Sequence, residues 1–251
     1  MGDVLLAVSA SAREAVRWRG ALVNVYDGGE GLPGTKLLFW KKRLGAAALV
    51  GYRYVWLLDS DIVVGDPAEI ARTAVLVGAS ILQPAVLPQH RGKFRANRSR
   101  CGVEATSFVE MQAPLFEASL WTRFHAQVLS RIPDHILRDS DSGIDFLWCR
   151  FAEEWGGGCF FSHVDVVAHL DTKTLSQHKN LSQRGNASLF RYLARSWPHY
   201  IRYPSARAKR SACVRVASGP AITFVNATAT ATYTVGSRQA VQQTTTRAAI
   251  D

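Results

Sequence analysis

Two carboxylates separated by one residue, in Asp59-Ser60-Asp61, directly follow the apolar run Tyr54-Val55-Trp56-Leu57-Leu58. Such a run predicts a strand, and α/β proteins bind ligands where the carboxyl ends of their strands lie. Residues two apart point to the same side of an extended chain, so both carboxylates can reach one ion. Paired oxygen ligands suit Mg²⁺ or Mn²⁺, whose other positions diphosphate oxygens can fill. The pattern therefore predicts a divalent-metal site at Asp59 and Asp61; a plain turn after the strand is the alternative.

The elements that must position this pair alternate between strands and helices. Short apolar runs predict strands at residues 4–8, 21–26, 54–58, 79–83, 108–114 and 164–168. Helical patterns cover residues 36–49, 66–77, 119–132 and 144–155, and Asp66 with Pro67 is typical of a helix start. We expect Pro84 to end its strand, and residues 88–105 to form a flexible loop. The alternation predicts an α/β fold with a mostly parallel central sheet.

The composition of the chain changes after about residue 206. We expect residues 1–206 to form one domain, and residues 207–251 to be an Ala/Thr/Ser-rich basic tail that is disordered. The net charge is +10, and from Ser196 onward seven basic residues accompany one acidic residue. More than half of the excess charge thus belongs to the end of the chain, and no specific nucleic-acid partner is expected.

Cysteine and asparagine patterns bear on the compartment. The four cysteines lack C-x-x-C spacing, so a zinc site is not expected, and the number of disulfides stays open between none and two. Glycosylation sequons begin at Asn97, Asn180, Asn186 and Asn226, which favours the lumen of the Golgi or secretory pathway. No apolar run of about 20 residues predicts a membrane span. Membrane association is expected only through an anchor missing from this chain, and a cytoplasmic location if the N-terminus is complete.

Several further stretches occur in the order typical of one family. Together with residues 52–62, they resemble the plant-abundant "domain of unknown function 707" family, whose members are regarded as GT-A-fold glycosyltransferase-like proteins. The resemblance spans residues 4–175 and rests on Tyr26-Asp27-Gly28, Phe39-Trp40-Lys41-Lys42-Arg43-Leu44, Gln83-Pro84-Ala85, residues 108–116, Gly143-Ile144-Asp145 and Val166-Val167-Ala168-His169.

This resemblance implies a GT-A-like three-layer α/β/α sandwich. It also implies a metal-dependent enzyme that moves a sugar from a nucleotide-diphosphate sugar donor to a hydroxyl of a glycan, protein or small molecule. The chain departs from the family where Asp59-Ser60-Asp61 replaces Asp-Glu-Asp, which keeps both outer carboxylates. It departs again where residues 141–145 replace a Trp-Gly-Leu-Asp stretch, which loses an aromatic and bears on acceptor preference.

Two acids are candidates for the chemical step. Asp145 is the expected catalytic base, since similar inverting enzymes use a carboxylate from the second half of the domain. Asp141 and Asp139 are its fallbacks, and an acid that only stabilises a helix N-terminus is the plain alternative. Glu110 lies in an apolar stretch, where an unpaired charge is costly, so it contacts donor or acceptor or forms an internal ion pair.

The remaining candidates concern the metal and the donor. The resemblance makes His169 the expected third metal ligand, with His163 as the neighbouring alternative. Asp27 is expected to meet the nucleotide's base or ribose, unless it only forms an Asp-Gly turn. Lys36 and the run at residues 41–43 are expected to present a cation to the diphosphate, with a solvated helix face as the alternative. Tryptophans at 40, 56, 121 and 148 are expected in the core.

Two rival functions remain open. Leu57-Leu58-Asp59-Ser60-Asp61-Ile62 also matches the first motif of haloacid-dehalogenase-like phosphatases, with Asp59 as nucleophile and Asp61 as general acid. That motif normally lies on the first strand, and no convincing later Lys with paired Asp follows here. The second rival is a degenerate transferase-like module that binds carbohydrate or nucleic acid, with its basic tail as the contact.

Overall fold

The protein is described here by a computed structural model. It describes residues 4–9, 23–25, 36–59, 62–87, 102–140, 143–169, 179–201, 213–214, 222–225, 229–235 and 241–247.

Strands and helices alternate along most of this chain. The strands are β1 (Val4–Ser9), β2 (Val23–Val25), β3 (Tyr54–Asp59), β4 (Ile62–Val63), β5 (Ile81–Leu87), β6 (Val103–Thr106), β7 (Leu115–Glu117), β8 (Cys159–His169), β9 (Cys213–Val214), β10 (Ile222–Val225), β11 (Ala229–Val235) and β12 (Val241–Arg247). The helices are α1 (Lys36–Arg43), α2 (Pro67–Val77), α3 (Ala118–Gln127), α4 (Asp134–Arg138), α5 (Asp145–Glu154) and α6 (Lys179–Ser196), with 3₁₀ turns at Ala46–Leu49 and Leu129–Arg131.

The main sheet has the strand order β2-β1-β3-β7-β5-β8-β6-β9, and β4 pairs with β8 beside this path. β1 runs parallel to both β2 and β3, and β5 runs parallel to β8. β7 is antiparallel to both of its neighbours, and β4 and β6 are antiparallel to β8. The α/β class is therefore confirmed, and the sheet is mixed where a mostly parallel one was predicted. The short strands β4, β6 and β7 supply the antiparallel pairings.

The strand order reverses at β1. The chain continues from β1 to β2 on one side of it, and then to β3 on its other side. β1 and β3 are parallel with Ser9 opposite Asp59, so their carboxyl ends lie side by side. A crevice outside such a reversal point is where open α/β sheets bind ligands. The fold thus places Asp59 at a position suited to binding.

Both faces of the central strands are buried, which explains their unbroken apolar runs. Val55 and Leu57 belong to one hydrophobic cluster, whereas Tyr54, Trp56 and Leu58 belong to the cluster on the opposite face. The first cluster includes residues of α1, α3, α5 and α6, and the second includes residues of α2. Helices therefore pack on both faces of the sheet.

The four tryptophans expected in the core are there, each at most 2% exposed. Trp40 and Trp121 pack edge to face with ring centroids 5.9 Å apart, and Phe116 of β7 packs edge to face on Trp148 at 5.0 Å. Edge-to-face pairs of this kind add to the burial energy. They join α1, α3 and α5 to the sheet.

Helix α2 begins and ends as its sequence predicts. The Asp66 carboxylate accepts a hydrogen bond from the Ala68 amide at 2.9 Å, and Pro67 occupies the first helical position. Gly78 ends the helix with φ of 64°, a conformation that glycine adopts without strain. The predicted N-cap is therefore confirmed.

The predicted end of a strand at Pro84 is wrong, because β5 continues to Leu87. The register between β5 and β8 shifts between Pro84 and Ala85, and β7 pairs only with Ile81 and Leu82. Pro84 thus stands at an irregularity, where its missing amide proton is tolerated.

The predicted strand at residues 108–114 is wrong, and the flexible loop predicted at residues 88–105 is wrong for the residues of it that form a strand. Residues 108–114 form no strand although Phe108, Val109 and Met111 are buried. Burial alone gives the same apolar pattern as a strand, so periodicity could not separate the two. The first three residues of β6 lie inside the predicted flexible loop, of which residues 88–101 lie outside the described chain.

A disulfide joins Cys149 of α5 to Cys159, the first residue of β8, with Cα atoms 5.5 Å apart. Cys101 lies outside the described residues. Towards the end of the chain, β9 pairs with β6 (Val103 opposite Val214), and β10, β11 and β12 form an antiparallel sheet of their own. The division of the chain at residue 206 stays a prediction.

Close packing of α6 against the end of α4 gives a test of the fold. A Cβ at Gly185 would lie 1.8 Å from the carbonyl oxygen of Asp139, so the backbones would have to separate. We expect Gly185→Ala to lower the free energy of unfolding by about 1–3 kcal/mol from overpacking. This cost outweighs the gain of about 1 kcal/mol that alanine brings to a helix. Thermal unfolding measures the change.

Gly45→Ala is the matched control, because its Cβ would lie 3.5 Å from His125 Cε1, an ordinary contact, and its φ is −73°. A Gly185→Ala protein as stable as the parent would show that α6 does not pack as described.

Candidate functional site

An ion pair lies at the carboxyl edge of the sheet. The Lys36 ammonium, at the start of α1, donates to Asp59 Oδ1 at 2.7 Å, and Asp59 is the last residue of β3. The two side chains are 16% and 23% exposed. Lys36 Nζ also lies 3.4 Å from the carbonyl oxygen of Met111 and 5.9 Å from the Trp40 ring centroid. The pair is thus mostly withdrawn from water, where its attraction is stronger than on the surface.

Lys36 is positioned by its neighbours on α1. The residues that follow it, Leu37, Leu38, Phe39 and Trp40, are all buried. Because the helix is held in the core, the amine can reach only what lies near its first turn. The sequence predicts Lys36 as a cation for a diphosphate, and the structure brings it to Asp59.

An irregular segment, residues 108–114, brings Glu110 to the same edge. The amide of Glu110 donates to Oε1 of Gln83 at 3.1 Å, and Gln83 is 1% exposed on β5. The Asp59 amide donates to Gln112 O at 3.1 Å, and the Trp56 indole donates to Ala113 O at 2.9 Å. These bonds satisfy buried polar groups and attach the segment to β3 and β5.

Gln83 was missed by sequence reasoning as a positioning residue. Its signal was a polar side chain inside the apolar run of β5. A buried amide needs hydrogen-bond partners, so such a residue indicates a contact with backbone nearby. The sequence did not identify that backbone as residue 110.

Asp145, the first residue of α5, completes the group. The Gly143 amide donates to Asp145 Oδ1 at 3.2 Å, from a glycine with φ of 108° that other residues rarely adopt. Burial raises the pKa of Asp145 to about 6; the Lys36 ammonium opposes this rise, and the Glu110 charge adds to it. Lys36 and Glu110 are therefore both close enough to influence Asp145.

Strand β8 ends at His169, at the same carboxyl edge of the sheet. His169 lies opposite Ile62 of β4, the residue that follows Asp61 in the chain. Asp61 itself lies outside the described residues, as do Asp27 and Asp141. Within the described part of the chain, no three or more His, Cys, Asp or Glu side chains are grouped to hold a metal ion.

His163, the alternative to His169, has a different environment. Its Nε2 lies 3.4 Å from Oε1 of Glu104 on β6, and its ring packs on Phe161. Burial lowers the pKa of His163, and the Glu104 carboxylate opposes this. Both ring nitrogens are buried without a hydrogen-bond partner among the described residues, so His163 stays the alternative to His169.

The lysines later on α1 are engaged at α4. The ammonium groups of Lys41 and Lys42 lie 2.6 and 2.5 Å from the two carboxylate oxygens of Asp134. Their hydrogen bonds lower the pKa of Asp134 to about 2. Asp139, a fallback for the base, directly follows α4, and its backbone lies against Gly185. Lys36 is thus the residue of α1 that meets Asp59.

Comparison with known proteins adds no relative. No model of a protein family matches the chain, and no curated protein matches its sequence.

Among the described helices, none is both long enough and apolar enough to cross a membrane.

The raised pKa of Asp145 predicts how its replacement changes stability with pH. We expect Asp145→Asn to be as stable as the parent at pH 4 and more stable at pH 7.5, by at most about 3 kcal/mol. The unfolded chain releases this proton near pH 3.8 and the folded chain near pH 6. The folded protein therefore loses stability as pH rises through this window, and the amide variant does not. Urea unfolding at both pH values measures the difference.

Asp134→Asn is the control of opposite sign. Asp134 has a lowered pKa, so its stabilising contribution is complete above pH 3.8 and is lost as pH falls towards about 2. Because the side chain is 38% exposed, the loss at pH 7.5 should stay below about 1 kcal/mol. Equal stability of Asp145→Asn and the parent at both pH values would contradict the burial of that carboxyl.

Proposed function

We propose that the chain is a metal-dependent glycosyltransferase that uses a nucleotide-sugar donor and has a GT-A-like α/β/α sandwich. One observation carries the proposal: the Lys36–Asp59 ion pair lies at the carboxyl edge of the sheet, beside the reversal at β1, and the same ammonium acts on the carboxyl of Asp145. That edge is where nucleotides bind in open α/β sheets. β3, which ends at Asp59, and β8, which ends at His169, end there as well.

The residues proposed as ligands have the donor atoms that Mn²⁺ or Mg²⁺ prefers. Asp59 and Asp61 would provide hard carboxylate oxygens and His169 an imidazole nitrogen, a set that Mn²⁺ accepts. The pairing of Ile62 with His169 supports this set, because it brings the histidine close to the residue after Asp61. When bound, the cation would neutralise the charge of the departing nucleoside diphosphate.

Asp145 is the proposed base. A carboxyl with a pKa of about 6 is mostly ionised at neutral pH and is a better proton acceptor than an ordinary aspartate. It would take the proton of the acceptor hydroxyl. Glu110 raises this pKa and would contact donor or acceptor, while Lys36 would hold the diphosphate and Asp27 the nucleoside.

The compartment we propose is the lumen of the Golgi or secretory pathway. The Cys149–Cys159 disulfide supports it, because disulfides persist in oxidising compartments. The sequons give limited support, since Asn186 lies within α6 and accepts a hydrogen bond from the buried Ser140 hydroxyl at 2.8 Å.

A phosphatase that uses Asp59 as nucleophile is the second candidate. The observation that favours it is the ammonium beside that carboxylate, which would hold the oxygens of a phosphoryl group. Hydrolysis of p-nitrophenyl phosphate that Asp59→Asn abolishes would favour this candidate over the transferase.

Metal-dependent nucleotide binding tests the proposed function. We expect one or more of ADP, CDP, GDP and UDP to raise the melting temperature when Mn²⁺ is present and to have little effect without it. Asp59→Asn should remove most of this ligand stabilisation, which is about 2.7 kcal/mol for ligand at 100 times its Kd.

Glu153→Gln is the matched control for this variant. It also neutralises one acid, in an exposed ion pair with Arg150 on α5, and should keep the response. Nucleotide binding that is unaffected by Mn²⁺ and by Asp59→Asn would contradict the proposal of a metal-dependent transferase.

His169 is tested by the metal affinity. With nucleotide present, we expect His169→Gln to weaken Mn²⁺ binding by at least the roughly 10–100-fold that loss of an outer-shell partner costs, because a direct ligand to the ion is lost. His163→Gln, on the same strand but beside Glu104, should leave it unchanged. Equilibrium dialysis with Mn²⁺ gives both affinities. Equal weakening in the two variants would remove His169 from the ligand set.

A further inference from the structure

We infer that Lys36 competes with the metal ion for Asp59. Its ammonium stays paired with the Asp59 carboxylate until it binds a diphosphate instead, so the divalent cation and the diphosphate bind together. This inference rests on the proposed function and adds the dependence of each ligand on the other. It assigns to Lys36 a positioning role that precedes any chemistry.

The geometry makes Lys36 and a metal ion competitors. An ammonium nitrogen 2.7 Å from Asp59 Oδ1 is in direct contact with the oxygen that a cation would use. Two positive charges around one carboxylate repel each other, and the repulsion is large where both are mostly shielded from water. With Lys36 in this position, Mn²⁺ would bind Asp59 only weakly.

The charges around Lys36 show what its removal would do. Besides Asp59, the ammonium acts electrostatically on Asp145, and Asp145 in turn is influenced by Glu110. One lysine thus balances part of the charge of two carboxylates, and a third carboxylate acts on one of them. Without it, the same acids would form a site with greater attraction for a divalent cation.

A diphosphate can relieve the competition because it offers the ammonium new partners. Phosphate oxygens accept charge-assisted hydrogen bonds from lysine as well as a carboxylate does, and the flexible side chain can change direction. Asp59 is then available to the cation, which shares the diphosphate oxygens. Metal alone would leave a largely buried ammonium without its carboxylate, which is costly. Each ligand therefore assists the other, and linkage requires the assistance to be reciprocal.

The test measures Mn²⁺ binding to the full chain, with inorganic pyrophosphate as the diphosphate. Equilibrium dialysis gives the Mn²⁺ affinity without pyrophosphate, and the rise in melting temperature reports Mn²⁺, pyrophosphate and both together. In the parent, we expect a clear rise only with both ligands. Mn²⁺ alone should bind to Lys36→Met at least about tenfold more tightly than to the parent. Addition of pyrophosphate should then raise the melting temperature of this variant much less than that of the parent.

Lys42→Met is the matched control, since it removes the same charge from the same helix at a residue paired with Asp134. It should leave the Mn²⁺ affinity and the joint response unchanged. Lys36→Gln is the second variant, used if the methionine variant does not fold, and should behave alike. Lys36→Arg keeps the positive charge and should keep Mn²⁺ binding weak in the absence of pyrophosphate.

The outcomes separate this inference from the proposed function. A rise in the melting temperature of the parent with both ligands, together with an equal Mn²⁺ affinity of the parent and Lys36→Met, would overturn the competition between Lys36 and the metal. It would leave the transferase proposal unaffected. Tighter Mn²⁺ binding to Lys36→Met without any joint response in the parent would also overturn this inference, because the diphosphate would not be the releasing ligand. A parent and variants that respond to no combination of these ligands would overturn both.

Discussion

A carboxylate at the end of β3 and an ammonium at the start of α1 meet at 2.7 Å in a place with little access to water. Neither charge could be withdrawn from water alone, since the loss of hydration must be offset by a partner. The structure therefore has to hold a strand end and a helix start in fixed relation. The parallel pairing of β1 with β3 places Asp59, and the buried aromatic rings around Trp40 place the helix that carries Lys36.

The rest of the candidate site depends on irregular backbone fixed by buried polar bonds. Residues 108–114 form no strand, yet hydrogen bonds to Gln83 and β3 hold Glu110 close to Asp145. Asp145 begins the helix that the disulfide joins to β8, the strand that ends at His169. A rigid scaffold thus presents side chains from distant parts of the chain, an arrangement typical of binding and catalytic sites.

Local sequence signals predicted the elements that depend on local physics. The apolar run of β3 reflects burial on both faces, and the Asp66-Pro67 start of α2 reflects the needs of its first amides. Residues 108–114 were predicted as a strand because a buried segment without strand hydrogen bonds has the same apolar pattern as a strand. Pro84 was predicted to end its strand because a proline at a shift of register has the same sequence signal as a proline at a strand end. The Lys36–Asp59 contact and the Gln83–Glu110 bond join residues 23 and 27 apart and depend on packing that no local pattern contains.

The most direct test of the account is a crystal structure with Mn²⁺ and a nucleoside diphosphate, in which anomalous scattering locates the metal. The account predicts a manganese peak coordinated by the Asp59 carboxylate and the diphosphate oxygens, with the Lys36 ammonium moved from Asp59 onto a phosphate. An intact Lys36–Asp59 ion pair, with nucleotide bound and the manganese peak elsewhere, would contradict it.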